Sequence, residues 1–418
     1  MDLALYLHVP FCLRRCSYCD FVTYAGRGHL HTPYTRALQQ DLRRQAERLR
    51  ADTPAAHAVT LYFGGGTPSL LPAATIAALI AEARDSLSLP AEAEITLEAN
   101  PGTVDAPKLA ALRRVGVNRL SLGVQSADAG ELEMLGRIHT WEEARRTVSA
   151  ARQAGFDNLS LDLIFGLPGQ SLSRWQTSLA AVLALAPEHL SLYALTLEPG
   201  TPLAEAVTRG QLPEPDADLA ADLYEWTSEA LRDAGFWQYE ISNWARGLAP
   251  ARGLAPARGL APARGLAPAP EIWSLPPGGR TEGIGPWISH HNLHYWRNTA
   301  WLGAGVAAHS YIGRRRWGNL TDPEAYIAAV EAGAPTLTES EELTRARDIG
   351  DTMMLGLRLA EGVSESTFRA RFGVGLAETF GSTLEEYQQH GLLEWDGVRV
   401  RLSARGRLLG NQVFAAFV

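Results

Sequence analysis

Apolar, β-prone runs recur through the first half of the chain, and each is followed by residues with helical spacing. The runs Leu3–His8, Val59–Phe63, Glu94–Glu98, Arg119–Val124, Asn158–Phe165 and His189–Leu197 predict six strands. Amphipathic patterns over Tyr34–Leu49, Pro72–Leu87, Trp141–Ala154 and Trp175–Leu185 predict helices between them. Strand and helix in alternation imply parallel strands joined by crossover helices. Six such units predict an α/β fold, a partial (β/α)6 TIM-like barrel rather than a closed eight-stranded one. The strand ends carry His8, Gly64-Gly65-Gly66, Glu98 with Asn100, Gln125, Asp162 and Glu198. In parallel α/β folds the C-terminal strand ends form the ligand face. Any one strand is polar where it leaves the core, but six polar ends on one face point to a site.

The pattern breaks at Ala245, where Ala-Arg-Gly-Leu-Ala-Pro is repeated four times up to Pro268. A six-residue period with Gly and Pro in every copy suits neither helix nor ladder, so a flexible, partly extended surface loop is expected over 245–288, dispensable for folding. Its four arginines give a second reading, contact with an acidic partner. Helical spacing returns over Leu343–Leu359, Ser364–Phe372, with Ser364 as its N-cap, and Leu376–His390. Leu392–Leu402 alternates around Asp396-Gly397, a hairpin signal, and a closing helix follows Ser403. The expected organisation is a barrel over 1–244, the insertion over 245–288, a connecting segment over 289–340, and a winged-helix-like unit over 341–418. Such units often bind DNA, but the last helix before the hairpin is poor in basic residues. A structural or partner-docking role is expected.

Composition narrows the class. The 418 residues are 46% hydrophobic and 20% charged, which supports a substantial core. A formal net charge of −8 argues against a nucleic-acid groove as the main function. The first eight residues carry no Lys or Arg, and no run approaches the roughly 18 apolar residues of a membrane span. A soluble, cytoplasmic protein is expected. Its three cysteines all fall between residues 12 and 19. An odd number packed so tightly is no disulfide framework, and in a reducing compartment it reads as metal ligands or redox groups.

Cys12-x-x-x-Cys16-x-x-Cys19 offers three thiolates in the loop after the first strand. Three ligands on a four-iron cubane leave one iron open to an exogenous group. Zinc would want a fourth protein ligand, His8 or His29, and on spacing alone it stays open. The neighbours add to this. Tyr6-x-His8-x-Pro10-Phe11-Cys12 and Cys16-Ser17-Tyr18-Cys19-Asp20-Phe21 resemble the radical-SAM superfamily, specifically its HemN/HemW branch. The resemblance extends through most of the chain outside the insertion. It implies a [4Fe–4S] cluster on Cys12, Cys16 and Cys19, bound S-adenosylmethionine (SAM), and a flavodoxin- or ferredoxin-type electron donor. Gly64-Gly65-Gly66-Thr67-Pro68 resembles the glycine motif along which the backbone meets the methionyl ammonium. Tyr6, Gly65, Gly66, Thr67, Glu98, Gln125, Arg137 and Asp162 match SAM-contacting positions of the branch. Taken singly, Glu98 and Arg137 also read as members of surface ion pairs.

Within that branch two features separate this chain from the oxygen-independent coproporphyrinogen III oxidases. Those enzymes carry a fourth cysteine two residues after the third, where Phe21 stands here, and a segment ahead of the first strand. A third feature, His291-Asn292-Leu293-His294-Tyr295-Trp296, resembles the HNxxYW motif of the HemW haem chaperones. The resemblance implies haem contacts at His291, Asn292, Tyr295 and Trp296: an axial imidazole and flat aromatic surface. Without it, a histidine beside aromatics reads as a hydrogen-bonded structural residue, and His290, His294 and His309 are rival ligands. The expected function is haem binding and delivery to an acceptor protein. The alternatives are a radical-SAM oxidase acting on a porphyrinogen and a zinc-stabilised structural protein.

Overall fold

The computed structural model describes residues 1–247 and 287–418. Most of the expected insertion, including all but the start of the hexapeptide repeat, therefore lies outside the described residues. Six strands pair in parallel in chain order: β1 (Asp2–Val9), β2 (His57–Gly65), β3 (Glu94–Ala99), β4 (Arg119–Gln125), β5 (Leu159–Phe165) and β6 (His189–Ala194). The expected partial barrel is present. Helices α1 (His31–Asp52), α2 (Ala73–Leu87), α3 (Ala106–Arg114), α4 (Trp141–Gln153), α5 (Leu172–Leu183) and α6 (Ala217–Asp233) follow them. The hydrophobic pattern predicted neither α6 nor α3, whose nine residues bury only Leu109 and Leu112 and start from an Asp105 cap.

Period-two alternation decides which side of each strand meets the helices. Leu3, Leu5, Leu7, Leu61, Phe63, Leu97, Leu120, Leu122, Leu161 and Leu190 are all fully buried in one core with helical residues such as Leu38, Ile76 and Leu179. Each such side chain contributes about 1.5–3 kcal/mol relative to exposure. Helix α4 shows how local chemistry supports the layer. Thr140 Oγ1 accepts from the Glu143 N–H at 3.3 Å while the Glu143 carboxylate accepts from the Thr140 N–H at 2.7 Å. This reciprocal cap is worth about 1 kcal/mol. It starts the helix so that Ala144, Thr147, Val148 and Ala151 turn inward.

The opposite face of the same strands is mostly polar, with Ala4 and Ile164 among its apolar members. Tyr6 lies opposite Tyr62, Glu98 opposite Ser121, and Asp162 between Gly123 and Ser191. The sequence singled out the strand ends, whereas the structure extends the polar surface down to Glu94, Arg119 and His189.

Antiparallel strands extend both edges. β7 (Phe236–Glu240) pairs with β8 (Asn243–Arg246), which pairs with β6. Ala245 and Arg246, assigned to the loop by the repeat pattern, are the last residues of β8. Arg246 donates to the Pro187 carbonyl at 3.0 Å and lies over the Phe236 ring. On the other side β9 (Trp301–Ala304) runs parallel to β1, and β10 (His309–Ile312), β11 (Arg315–Asn319) and β12 (Leu337–Glu342) follow as a meander. The segment ahead of β9 forms a short helix, α7 (His290–Trp296). Beyond β12, helix α8 (Arg345–Gly356) leads into a second core of Met353, Leu357, Phe368, Leu376 and Val400 with a three-stranded sheet. Its hairpin turns at Gly397, where Asp396 accepts from the Val398 and Arg399 N–H groups at 2.8 and 2.7 Å.

Candidate functional site

The cysteine loop leaves β1 and is closed at its root by a short parallel pairing of Phe11–Cys12 with Tyr24–Ala25. Cys12, Cys16 and Cys19 are free, half-buried thiols on one cavity of about 420 Å³. Thr67 Oγ1 donates to Cys12 Sγ at 3.6 Å, and Arg137 Nη1 donates to Cys16 Sγ at 3.2 Å. Among the described residues, no three His, Cys, Asp or Glu side chains converge on one ion position. Three thiols spread around a cavity suit a polynuclear cluster, whose ligands meet different irons. The fourth ligands that zinc would need fare poorly. His29 lies in the turn Gly28–Leu30, outside the residues that line the cavity. His8 has both ring nitrogens engaged, Nε2 with the Val22 carbonyl and Nδ1 with the Tyr6 hydroxyl, each at 3.0 Å. A carbonyl only accepts, so His8 carries its proton on Nε2 and accepts from Tyr6.

Six of the eight expected SAM positions, Gly65, Gly66, Glu98, Gln125, Arg137 and Asp162, line this cavity, whereas Thr67 stands behind Cys12 and Tyr6 lines a neighbouring cavity. The Gly65 backbone is left-handed, with φ +110°, and a Cβ there would stand 2.5 Å from the His8 ring. A Cβ on Gly66 would stand 2.7 Å from the Phe11 carbonyl oxygen. These glycines let the end of β2 fold against the root of the cysteine loop, a requirement of packing as well as of ligand access. Thr67 is buried and accepts from Asn100 Nδ2 at 3.0 Å. Arg137 and Glu98 are not surface ion pairs. Arg137 also donates to the Gly123 carbonyl at 2.6 Å and to Asn100 Oδ1, and its Nε is buried without a partner. Glu98 accepts from Tyr62 Oη at 2.7 Å and the Gly65 N–H at 3.1 Å. Burial pushes its carboxyl up to about 7, with Asp162 adding to the effect. Asp162 accepts from the Ser121 and Ser160 hydroxyls, and burial raises its pKa as well. Gln125 reaches the cavity because a bulge after Gly123 shifts the register, and it holds a left-handed φ of +67°. A buried carboxylate with no cation beside it among the described residues, and an arginine facing a thiol, suit a cationic ligand on an anionic cluster.

The four expected haem residues separate. Helix α7 closes the bottom of the polar face. Ser289 caps it, accepting from the Asn292 N–H at 3.3 Å, and Glu94 accepts from the N–H groups of His290 and His291 at 3.1 and 2.9 Å. His291 is 1% exposed, and its Nδ1 pairs with Thr60 Oγ1 at 2.9 Å and its Nε2 with Tyr295 Oη at 3.0 Å. Its ring stacks on Tyr62, and burial holds its pKa well below the usual histidine range. Trp296 turns toward the C-terminal unit, beneath the Arg358 guanidinium at 4.4 Å. Tyr295 alone among the four lines a second cavity, of about 620 Å³, with Tyr6, Phe21, Trp301 and His309. This cavity shares Asp20, Phe21, Gly65 and Glu98 with the first. Tyr62 and Trp301 belong to the site without being singled out by the hydrophobic pattern or the motifs. The signal for Tyr62 was available, since it stands two residues before Gly64 on the same face of β2. Trp301 begins a four-residue strand and gave none.

Residues 6–182 match the model of the radical SAM superfamily, and residues 343–409 that of the HemN C-terminal domain. The chain is 34% identical to the heme chaperone HemW of Bacillus subtilis over 99% of its own length and 98% of that protein's. It is 36% identical to the heme chaperone HemW of Mycobacterium tuberculosis over 98% of this chain and 93% of that one. The chain belongs to the HemW family of radical SAM proteins. The mouse radical S-adenosyl methionine domain-containing protein 1, mitochondrial, is 34% identical over 96% of this chain and 84% of its own. The structure of coproporphyrinogen III oxidase (HemN) from Escherichia coli superposes with a TM-score of 0.78 at 25% identity, covering 100% of this chain and 90% of that one. Radical SAM membership implies a [4Fe–4S] cluster and SAM, and the residues around the first cavity fit both. Among the described residues, no helix is long and apolar enough to cross a membrane.

Proposed function

We propose that this protein is a cytoplasmic haem chaperone that binds haem and hands it to an acceptor protein. The observation that carries the reading is the second cavity, walled by Tyr6, Phe21, Tyr295 and Trp301 and opening beside the cysteine loop. Flat aromatic walls suit a planar macrocycle. Phe21 adds to this. It is 66% exposed on the shared rim, where the oxidases resembled above place a cysteine, and a phenyl ring neither donates a proton nor ligates metal. The full-length similarity to proteins named heme chaperone supports the same reading.

Cys12, Cys16 and Cys19 would hold the cluster, which when bound supplies an open iron for SAM's amino and carboxylate groups. Arg137 offsets thiolate charge at Cys16, and the Glu98 carboxylate faces the position of a cation. Asp162, held by two serine hydroxyls, accepts hydrogen bonds from a ribose. Gln125, Thr67 and the backbone at Gly65 and Gly66 complete the SAM wall.

The test is paired. Anaerobically prepared, cluster-loaded protein is titrated with haemin, and reduced protein is incubated with SAM and coproporphyrinogen III. Saturable haem spectra with no protoporphyrinogen are expected. Steady protoporphyrinogen formation, or no saturable haem spectrum, overturns the reading.

A further inference from the structure

The haem reading leaves the iron ligand to be identified, and the structure narrows the choice. Between residues 248 and 286 the sequence has no His, Cys or Met, so a side-chain ligand of those types must come from the described residues. Among the histidines at or beside the second cavity, His8 and His291 each have both ring nitrogens engaged within the fold. His291 is further enclosed between Tyr62 and Tyr295. His294 pairs through Nδ1 with Thr299 at 2.8 Å and does not line the cavity. His309 does line it, and its side chain is 64% exposed.

The strand register sets a carboxylate two strands from His309 on the same face. His309 of β10 lies opposite Gly318 of β11, and Gly318 lies opposite Glu339 of β12. The three positions stand abreast, with the glycine in the middle. A Cβ on Gly318 would meet His309 Cε1 at 2.9 Å and Glu339 Oε1 at 3.1 Å, so the glycine leaves room for ring and carboxylate to lie over it. His309 Nδ1 is 3.9 Å from Glu339 Oε1. That separation is longer than a hydrogen bond, and closing it by rotation of the exposed Glu339 side chain would place a carboxylate on Nδ1 and leave Nε2 as the metal-facing atom. In the same cavity, Trp301 and Tyr295 meet edge to face with centroids 5.2 Å apart, and Tyr6 and Phe21 line it as well.

We propose that His309 is the axial ligand to the iron of a porphyrin seated in the second cavity, with Glu339 positioning the imidazole through Nδ1. The proposal rests on the haem-binding reading above. It assigns His291 to the packing that holds Tyr295 in the cavity wall.

The experiment uses the full chain, cluster-loaded and anaerobic, titrated with haemin and followed by its Soret band and electron paramagnetic resonance. Because His309 is exposed, His309→Ala is expected to keep the wild-type iron and sulfide content and melting temperature. It should bind haemin about 100-fold more weakly and lose the imidazole-ligated spectrum, which added free imidazole restores. Glu339→Gln should weaken binding about tenfold, the lower end of such supporting effects. A His309→Ala protein with wild-type affinity and spectrum overturns the assignment while haem binding stands. Wild-type Glu339→Gln binding overturns the positioning role. Absence of saturable binding in wild-type protein is the separate outcome that removes the haem reading itself, and the ligand assignment with it.

Discussion

Opposing effects act on Glu98, and burial prevails. Burial and the neighbouring Asp162 favour its neutral form, while the Tyr62 hydroxyl and the Gly65 N–H favour the carboxylate, leaving its pKa at about 7. The folded pKa exceeds the ordinary carboxyl value of 4.5, so the folded chain holds this proton more tightly. The group's contribution to stability is therefore present at low pH and is lost as pH rises through about 7. A cationic ligand has the opposite preference, since it pairs with the carboxylate. SAM affinity should fall about tenfold between pH 8 and pH 6, as the ionised fraction of Glu98 falls. Tyr6, Tyr62, Asp162, Tyr193 and Tyr295 are the titratable groups that interact with Glu98, and burial keeps the tyrosines neutral across this range. Calorimetric titration of cluster-loaded protein checks this. Glu98→Gln should bind more weakly at pH 8 with a flat profile, and a profile parallel to wild type would exclude Glu98 as the cation's partner.

At the scale of elements, α7 shows how a sequence motif and its structural part differ. Seven residues are too few for a helix to persist alone. This one depends on Ser289, on the Glu94 carboxylate at its N-terminus, and on the packing of His291 against β2. Negative charge at a helix start is favourable, and two part-buried N–H groups are satisfied there. Glu94→Ala should cost about 2 kcal/mol in unfolding free energy and loosen Tyr295 in the cavity wall. Urea unfolding followed by tryptophan fluorescence measures the first effect, and a weaker haemin titration the second. An unchanged midpoint would show that α7 stands without its carboxylate cap. In the sequence Glu94 reads only as the first residue of a strand, because its partners lie about two hundred positions away.

The whole molecule is joined through buried charge. Asp348 on α8 is 4% exposed and accepts from Tyr311 Oη at 2.7 Å, Asn298 Nδ2 at 3.2 Å and Arg371 Nη2 at 3.0 Å. Tyr311 belongs to β10 and Asn298 to the turn after α7, so one carboxylate ties the C-terminal unit to the edge of the main sheet. Removing one partner of such a cluster leaves the others desolvated and unpaired. Asp348→Ala should destabilise the protein by about 3 kcal/mol, and Asp348→Asn by less, since its amide oxygen still accepts. Chemical denaturation of both variants checks the order. Equal stability of Asp348→Ala and wild type would mean that the two units are joined mainly by apolar contact.

Six strands, four of the helices that follow them and the cysteine loop were legible in the sequence because local spacing encodes them. Period-two and helical alternation record which face of an element is dry, and three thiols within eight positions need no fold to be near one another. The glycine run and the polar strand ends were legible for the same reason. What lies opposite a given side chain is not local. The four-residue strand β9 is recognisable only by its pairing with β1, about three hundred residues earlier, and so the segment from β9 to β12 read as a connection. The burial of His291 depends on Thr60, 231 positions distant, and the place of His309 on a glycine and a glutamate in two neighbouring strands. The sequence determined which residues could ligate or stack. Long-range pairing decided which of them keep a free nitrogen or an exposed ring, because hydrogen-bond saturation and burial are properties of neighbours that only the folded chain brings together.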